Sequence, residues 1–453
     1  MLYRKIEKTI EGFLTKRNSK MLVVDGARQV GKSFIIRQIG RRLFKNYIEV
    51  NMEQDRQGRQ LFKNAMTVED FLVALSTIHG DKMGSREDTI VFIDEIQAYD
   101  HLLTLAKFLI ADGRFTYIAS GSQLGIALKT TQSLPIGSIE LIHMYPLDFE
   151  EFLIANGVGK ITIDSMYQCY LHESSLQEEM HHAMMDYFRK YLLVGGMPEA
   201  VNTYLAEHNL VAVRKVQNDI LTLYRQDAAK YEKESNRKLV IQRIYDMIPS
   251  NLENKKKRIV AKDIDGKQGR RMSDYRDEFE YLIAAGIALE VKAISKPTYP
   301  LVENSGKNLL KLYINDIGLL TGIIYRNNIQ PVMNNVSSVN LGAVYENVVA
   351  QELRAHGFPL FYYDNKKHGE VDYLVDDADN LSVMPIEVKS GKDYYIHSAL
   401  SHFINTEEYH VKRAIVLSGE PTVTIRKGIT YMPIYFSMFL KPSISDDAEF
   451  IRI

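Results

Sequence analysis

Nine residues, Asp25–Ser33 (DGARQVGKS), set two glycines, a lysine and a hydroxyl at fixed spacing. Gly26, four residues and then Gly31, Lys32 and Ser33 make G-x-x-x-x-G-K-[ST], between the apolar run MLVV and the helix-like FIIRQIG. This arrangement suits a phosphate chain. Glycines let backbone N–H groups close around a β-phosphate, and the N-terminus of the following helix adds its positive dipole end. Lys32 would meet the β/γ-phosphates and Ser33 would place its hydroxyl on Mg²⁺. Gly26, Ala27, Arg28, Gln29, Val30, Gly31, Lys32, Ser33 and Phe34 are the expected cradle for ATP.

A second apolar run, TIVFIDEIQ, ends in Asp94 and Glu95. Carboxylates at the C-terminal end of a parallel strand face the phosphate crevice. There Asp94 can hold Mg²⁺ through water, and Glu95 can polarise the attacking water. A solvated acidic turn is the plain alternative, and the upstream loop weighs against it. The run FTYIASGS then offers Ser120 and Ser122 after an apolar strand. Ser120 either senses the γ-phosphate or belongs to a serine-rich turn, and both readings stand.

The C-terminal part holds another set: Glu346 on a helix-like stretch, Glu370 and Asp372 in GEVDYLV, and Glu387 and Lys389 in PIEVKSG. Side chains alternate across a strand, so Glu387 shares a face with Lys389, as Glu370 does with Asp372. The turn residues DDADN between the two runs suit a hairpin. Carboxylates and a lysine can thus converge on one spot. The alternative is a salt-bridged hairpin that does no chemistry.

Elements of alternating type must position these groups. From residue 20 to about 155, short apolar runs alternate with helical stretches, which implies βαβ units and a mostly parallel sheet. The chain reads as an α/β protein in four segments. They are an α/β domain carrying the phosphate loop at 1–155, a helical lid or connector at 156–235, a winged-helix-like module with linker at 236–324, and a C-terminal α/β domain at 325–453. The winged-helix outline rests on helix, glycine turn and strand in SDYRDEFEYLIAAGIALEVKAI. The basic residues Lys255, Lys256, Lys257, Arg258, Lys262, Lys267, Arg270 and Arg271 either meet a DNA backbone or form a solvated loop.

Composition sets the outer bounds. With 453 residues there is room for about three cores of roughly 150 residues. The chain is 45% apolar and 25% charged, ordinary for a soluble globular protein, and its net charge of −1 leaves local basic faces open. The single cysteine, Cys169, excludes an intramolecular disulfide and a Cys-based zinc cluster, consistent with a reducing cytoplasm. Leu2, Ile6, Ile10 and Leu14 recur at helical spacing among charges, so the N-terminus reads as an amphipathic helix rather than a signal peptide. No apolar run reaches the ~18 residues of a membrane span. A soluble cytoplasmic location is expected, and a protein partner or a homo-oligomer stays open.

The strings GARQVGKS, IVFIDEIQ, ASGSQL, LPIGSIELIHMYPLDFEEFL, YLLVGGMPEAV, SKPTYPL and KLYINDIGLLTG together resemble the prokaryotic AAA-like ATPases that carry a C-terminal domain of unassigned function. The resemblance implies ATP at Gly26–Ser33, Mg²⁺ at Ser33 and Asp94, and a catalytic role for Glu95. Many relatives carry arginine after the glycine of LPxG, where this chain has Ser138. Arg114 and Arg28 are then the candidates for a charge that acts on phosphate. The C-terminal order, helix with Glu, strand with Asp, strand with Glu-x-Lys, resembles PD-(D/E)xK nucleases. That likeness implies a second divalent metal at Asp372 and Glu387, support from Glu346, and Lys389 orienting or deprotonating a water. The expected function is a Mg²⁺-dependent ATPase coupled to a nuclease-like domain that acts on or binds DNA. The alternative is a non-cleaving ATP-dependent switch whose C-terminal domain binds a protein or DNA.

Overall fold

A computed structural model describes residues 2–16, 19–80, 83–122, 124, 137–227, 235–254, 257, 259–266, 269–304, 310–334, 341–365, 367–391 and 393–442. Lys255, Lys256, Arg258 and Lys267 lie outside the described residues. The chain forms two compact units. One comprises Tyr3–Tyr145 with Ala284–Ile287, and the other Pro146–Ile283 with Ala288–Ile453. The first therefore ends about ten residues before the boundary read at 155. Helix Phe149–Ala155, opened by the capping box of Asp148 and Glu151, belongs to the second.

The first unit is built on five parallel strands: β1 (Met21–Asp25), β2 (Asn46–Asn51), β3 (Thr89–Asp94), β4 (Thr116–Ser120) and β5 (Ile139–His143). Their order is β2-β3-β4-β1-β5. β1 and β3 are buried along their whole length, which explains their unbroken apolar runs. β5, too polar to stand out in the sequence, completes the edge next to β1. Helix Lys32–Leu43 buries Ile35, Ile36 and Ile39, one stripe of its surface. Register matters most here. It sets Asn51 opposite Asp94 and Ser120 opposite Val24, so the C-terminal ends of β2, β3, β4 and β1 meet at one edge.

The second unit joins a group of helices to an eight-stranded mixed sheet. The helices Glu178–Val194, Leu210–Asp227 and Ile317–Tyr325 pack together. The sheet contains β6 (Ala288–Ile294), β7 (Leu310–Ile314), β8 (Phe361–Asn365), β9 (Gly369–Asp377), β10 (Ser382–Lys389), β11 (Ala414–Ser418), β12 (Thr424–Arg426) and β13 (Ile429–Pro433). They run in the order β12-β13-β11-β10-β9-β8-β6-β7. β9 and β10 form the expected antiparallel pair, while β10 and β11 are parallel. Three helices, Ser235–Glu253, Ala261–Asp265 and Arg276–Ala284, precede the antiparallel pair β6–β7. That pair is no separate wing, because β6 also pairs in parallel with β8 and so belongs to the C-terminal sheet.

Two of the distinctive strings, YLLVGGMPEAV and KLYINDIGLLTG, meet in this unit, and Asp316 is the hinge of the contact. Its carboxylate caps helix Ile317–Tyr325 by accepting from Leu319 N at 3.0 Å, and it accepts from Gly196 N at 2.6 Å. The approach is too close for side chains. A Cβ on Gly195 would stand 2.2 Å from Asp316 Oδ1, and one on Gly318 2.5 Å from the Val194 carbonyl. Burial raises the Asp316 carboxyl to about 6, against the pull of the backbone N–H groups of Gly196, Leu319 and Gly318. Asp316→Ala strands these buried donors and removes a helix cap. It should cost about 2 kcal/mol or more in chemical or thermal unfolding. A loss below about 0.5 kcal/mol would refute this role.

Candidate functional site

The loop after β1 is shaped by backbone that only glycine adopts freely. Gly26 has φ +142°, and a Cβ there would lie 2.3 Å from the Met144 carbonyl. Gly31, at φ +100°, opens helix Lys32–Leu43, so the N–H groups of its first turn face the loop. Lys32 Nζ donates to the carbonyls of Gly26 and Ala27, both at 2.8 Å. Burial pushes its pKa down from the usual lysine value, opposed by the nearby charges of Glu95, Asp25 and Asp94. A phosphate oxygen is a stronger acceptor than either carbonyl. Arg4 braces the loop from outside, donating to Val30 O at 2.9 Å and Tyr145 O at 2.6 Å. Phe34 is 59% exposed beside it.

Asp94 collects the strand ends. Ser33 Oγ donates to its Oδ1 at 2.9 Å, Ser120 Oγ donates to the same oxygen, and Asn51 Nδ2 donates to Oδ2 at 2.9 Å. Asn51 is a residue at this edge that sequence reasoning missed. Its one visible signal was its place at the end of an apolar strand, and its partner is fixed only by the register with β3. The hydroxyl and carboxylate oxygens of Ser33 and Asp94 are a hard-donor pair suited to Mg²⁺.

Glu95 turns out of β3 at φ +52°. Its Oε2 accepts from Gln97 Nε2 and, at 2.8 Å, from Ser122 Oγ, which also accepts from Arg28 Nε at 3.3 Å. The carboxylate is therefore held by two donors beside the loop. Arg28 is at this site. Arg114 and Ser138 are not: Arg114 engages Asp112 and Glu69 just before β4, and the Ser138 carbonyl accepts from Met21 N at the start of β1. Both lie at the strand edge opposite Asp94. A five-residue strand separates the edges by about 16 Å.

In the second unit, β9, β10 and helix Gly342–Ala355 bring Asp372, Glu387 and Glu346 close enough to influence one another. Each is buried. Glu346 is occupied twice: Lys257 donates to Oε1, and Tyr313 Oη donates to Oε2 at 3.1 Å. Asp372 Oδ2 accepts from Val388 N at 2.8 Å, and Lys389 Nζ donates to Glu387 Oε1 at 2.8 Å. Glu387 Oε2 is buried with no partner. Lys311, itself buried, pairs with Glu370. Among the described residues, no three His, Cys, Asp or Glu side chains are placed to hold one metal. The expected sharing of an ion by Glu346, Asp372 and Glu387 is thus not preformed, and Lys257 occupies Glu346 Oε1. Lys257 is no solvated loop charge, whereas Lys262, Arg270 and Arg271 are exposed.

Residues 18–153 match the family model described as AAA domain. Residues 185–329 and 341–436 match two models described as domains of unknown function, DUF8612 and DUF4143. The first unit carries an AAA-type P-loop ATPase domain. No curated protein matches the chain. Among solved structures, the Walker-type ATPase PABY2304 of Pyrococcus abyssi is similar at 16% identity over 71% of this chain and 95% of that one, with a TM-score of 0.42. The RuvB Holliday junction branch migration motor of Thermotoga maritima is 14% identical over 63% and 89%, with a TM-score of 0.29. The ORC1 protein of Aeropyrum pernix, in complex with DNA, is 11% identical over 74% and 93%, with a TM-score of 0.27. No described helix is long and apolar enough to cross a membrane.

Burial, and then the charge of Asp372, raises the Glu387 carboxyl to about 8, although Lys389 pulls the other way. A carboxyl raised on folding contributes stability that is complete below its unfolded value, near 4.5, and is lost as pH rises through about 8. Glu387→Gln removes this titration. Melting curves from pH 5 to 9 should therefore have the variant gain several degrees on wild type as pH rises. Parallel curves would contradict the assignment.

Proposed function

We propose that this chain is a Mg²⁺-dependent ATPase whose nucleotide cycle acts on its second unit. The observation that carries the reading is the convergence of Ser33, Asn51 and Ser120 on Asp94, with Lys32 and Glu95 at the same strand edge. Gly26–Gly31 offer backbone N–H groups to the phosphates, and Lys32 exchanges the carbonyls of Gly26 and Ala27 for β/γ-oxygens. Ser33 and Asp94 hold Mg²⁺, which neutralises phosphate charge when bound. Asn51 and Ser120 fix the Asp94 carboxylate, as groups behind a metal ligand do. Glu95 is the base that orients water, and it acts only once freed from Ser122 and Gln97. Because Ser138 stands where many relatives carry an arginine, basal turnover is slow.

For the second unit we propose a PD-(D/E)xK-like domain that binds or acts on DNA. Support comes from the order of Glu346, Asp372, Glu387 and Lys389, from the unpartnered Glu387 Oε2, and from exposed Lys262, Arg270 and Arg271. Asp372 and Glu387 would hold a divalent ion there. The ion pair of Lys257 with Glu346 favours a second reading, a switch that binds without cutting.

Two pairs of variants separate these statements. Lys32→Ala should weaken ATP binding about 100-fold or more, while Glu95→Gln keeps binding and lowers turnover by about 10²–10⁴. Wild-type hydrolysis by Glu95→Gln would end the catalytic assignment. In nucleotide-free protein, Mn²⁺ should raise the melting temperature, and Asp372→Ala or Glu387→Ala should abolish the rise. Lys257→Ala should enlarge it. If Mn²⁺ leaves all of these unmoved and no DNA is cut, the switch reading replaces the nuclease-like one.

A further inference from the structure

Helices Leu210–Asp227 and Ile317–Tyr325 enclose an open cavity of about 500 Å³ that the chemistry above does not use. Its lining is cationic and polar, with Arg214, Arg225 and Arg326 joined by Asn218, Thr222 and Asn327. Arg214 is 4% exposed. Its Nη1 donates to Gln217 Oε1 at 2.6 Å, Gly318 O at 3.1 Å, and Leu193 O and Thr321 Oγ1 at 3.2 Å. All four acceptors are neutral. Its Nη2 is buried with no acceptor. Burial alone pushes the guanidinium down to about 10, and no carboxylate offsets it.

The other two arginines extend the charge toward the mouth. Arg225 Nε donates to Asp246 Oδ1 at 2.7 Å, with both side chains about half exposed. Arg326 follows the last residue of helix Ile317–Tyr325 at φ +48°, is exposed, and makes no ion pair among the described residues. Three guanidinium groups thus line one cavity, and among the described residues the carboxylate paired with them is that of Asp246.

We infer that this cavity binds a phosphate-bearing small molecule held by Arg214, Arg225 and Arg326. The guanidinium fork matches phosphate in bidentate pairs, and three such groups lining one cavity concentrate positive charge where a phosphate would sit. The volume lies within the ~300–1,000 Å³ of small-molecule sites, larger than one phosphate and suited to a diphosphate or a mononucleotide. Free polyphosphate and nucleotide share this chemistry. The site belongs to the second unit, apart from Gly26–Ser33, and does not depend on the function proposed for either unit.

Equilibrium dialysis of the full chain with inorganic pyrophosphate tests the inference. Wild type should bind at two sites, and Arg225→Gln with Arg326→Gln should remove one or weaken it at least tenfold, while the melting temperature without ligand stays unchanged. Lys32→Ala should retain the site that the arginine substitutions remove. AMP in place of pyrophosphate distinguishes the sources, since tighter binding than pyrophosphate assigns a nucleotide and weaker binding a free polyphosphate. A binding isotherm unaltered by the two arginine substitutions, in wild type and in Lys32→Ala, would overturn the inference and leave Arg214 as a structural clamp on the carbonyls of Leu193 and Gly318.

Discussion

Three strand ends and one helix start meeting on one carboxylate is the constraint from which the first unit's chemistry follows. Asp94 sits at the end of β3, and the parallel register delivers Asn51 from β2 and Ser120 from β4 to the same edge. Ser33 arrives from the helix that the glycine loop starts. Had the sheet been antiparallel, adjacent strands would end at opposite edges and these groups would be separated by the length of a strand. Buried apolar strands therefore do more than stabilise. Their alignment sets the geometry in which a hydroxyl, a carboxylate and an amide meet a phosphate.

The second unit solves a different problem, that of buried charge. Taking carboxylates and ammonium groups out of water is expensive unless each finds a partner. Here Lys257 meets Glu346, Lys311 meets Glu370, and Lys389 meets Glu387. One oxygen of Glu387 remains unpaired, and so does one nitrogen of Arg214.

Much of this was legible in the sequence where chemistry is local. Gly26–Ser33 and Asp94–Glu95 are contiguous strings, and glycine, lysine and acid types name their own roles. The β9–β10 hairpin was equally plain, because alternation and DDADN fix it within twenty residues. Contacts set by register or by distant packing were not legible. Asn51 looked like any strand end, and Arg4 gave no hint that it would brace Val30. Lys257 belonged to a run that reads either as a DNA contact or as a solvated loop, yet it is partly buried against Glu346, 89 residues further along the chain. β5 is only partly buried and alternates weakly, so its place in the first sheet, and the unit boundary after Tyr145, escaped the pattern. The pair β6–β7 had the local outline of a wing, while its membership in the larger sheet depends on β8, more than sixty residues later.

The central claim is that the strand edge around Asp94 receives Mg²⁺ and the phosphates of ATP. A crystal structure with Mg²⁺ and a non-hydrolysable ATP analogue tests it most directly. The expected result is an ion between Ser33 Oγ and the phosphates, with Asp94 nearby, and Lys32 Nζ withdrawn from the carbonyls of Gly26 and Ala27 onto a phosphate oxygen. A nucleotide bound elsewhere, or an occupied loop in which Lys32 still donates to those two carbonyls, would contradict the account.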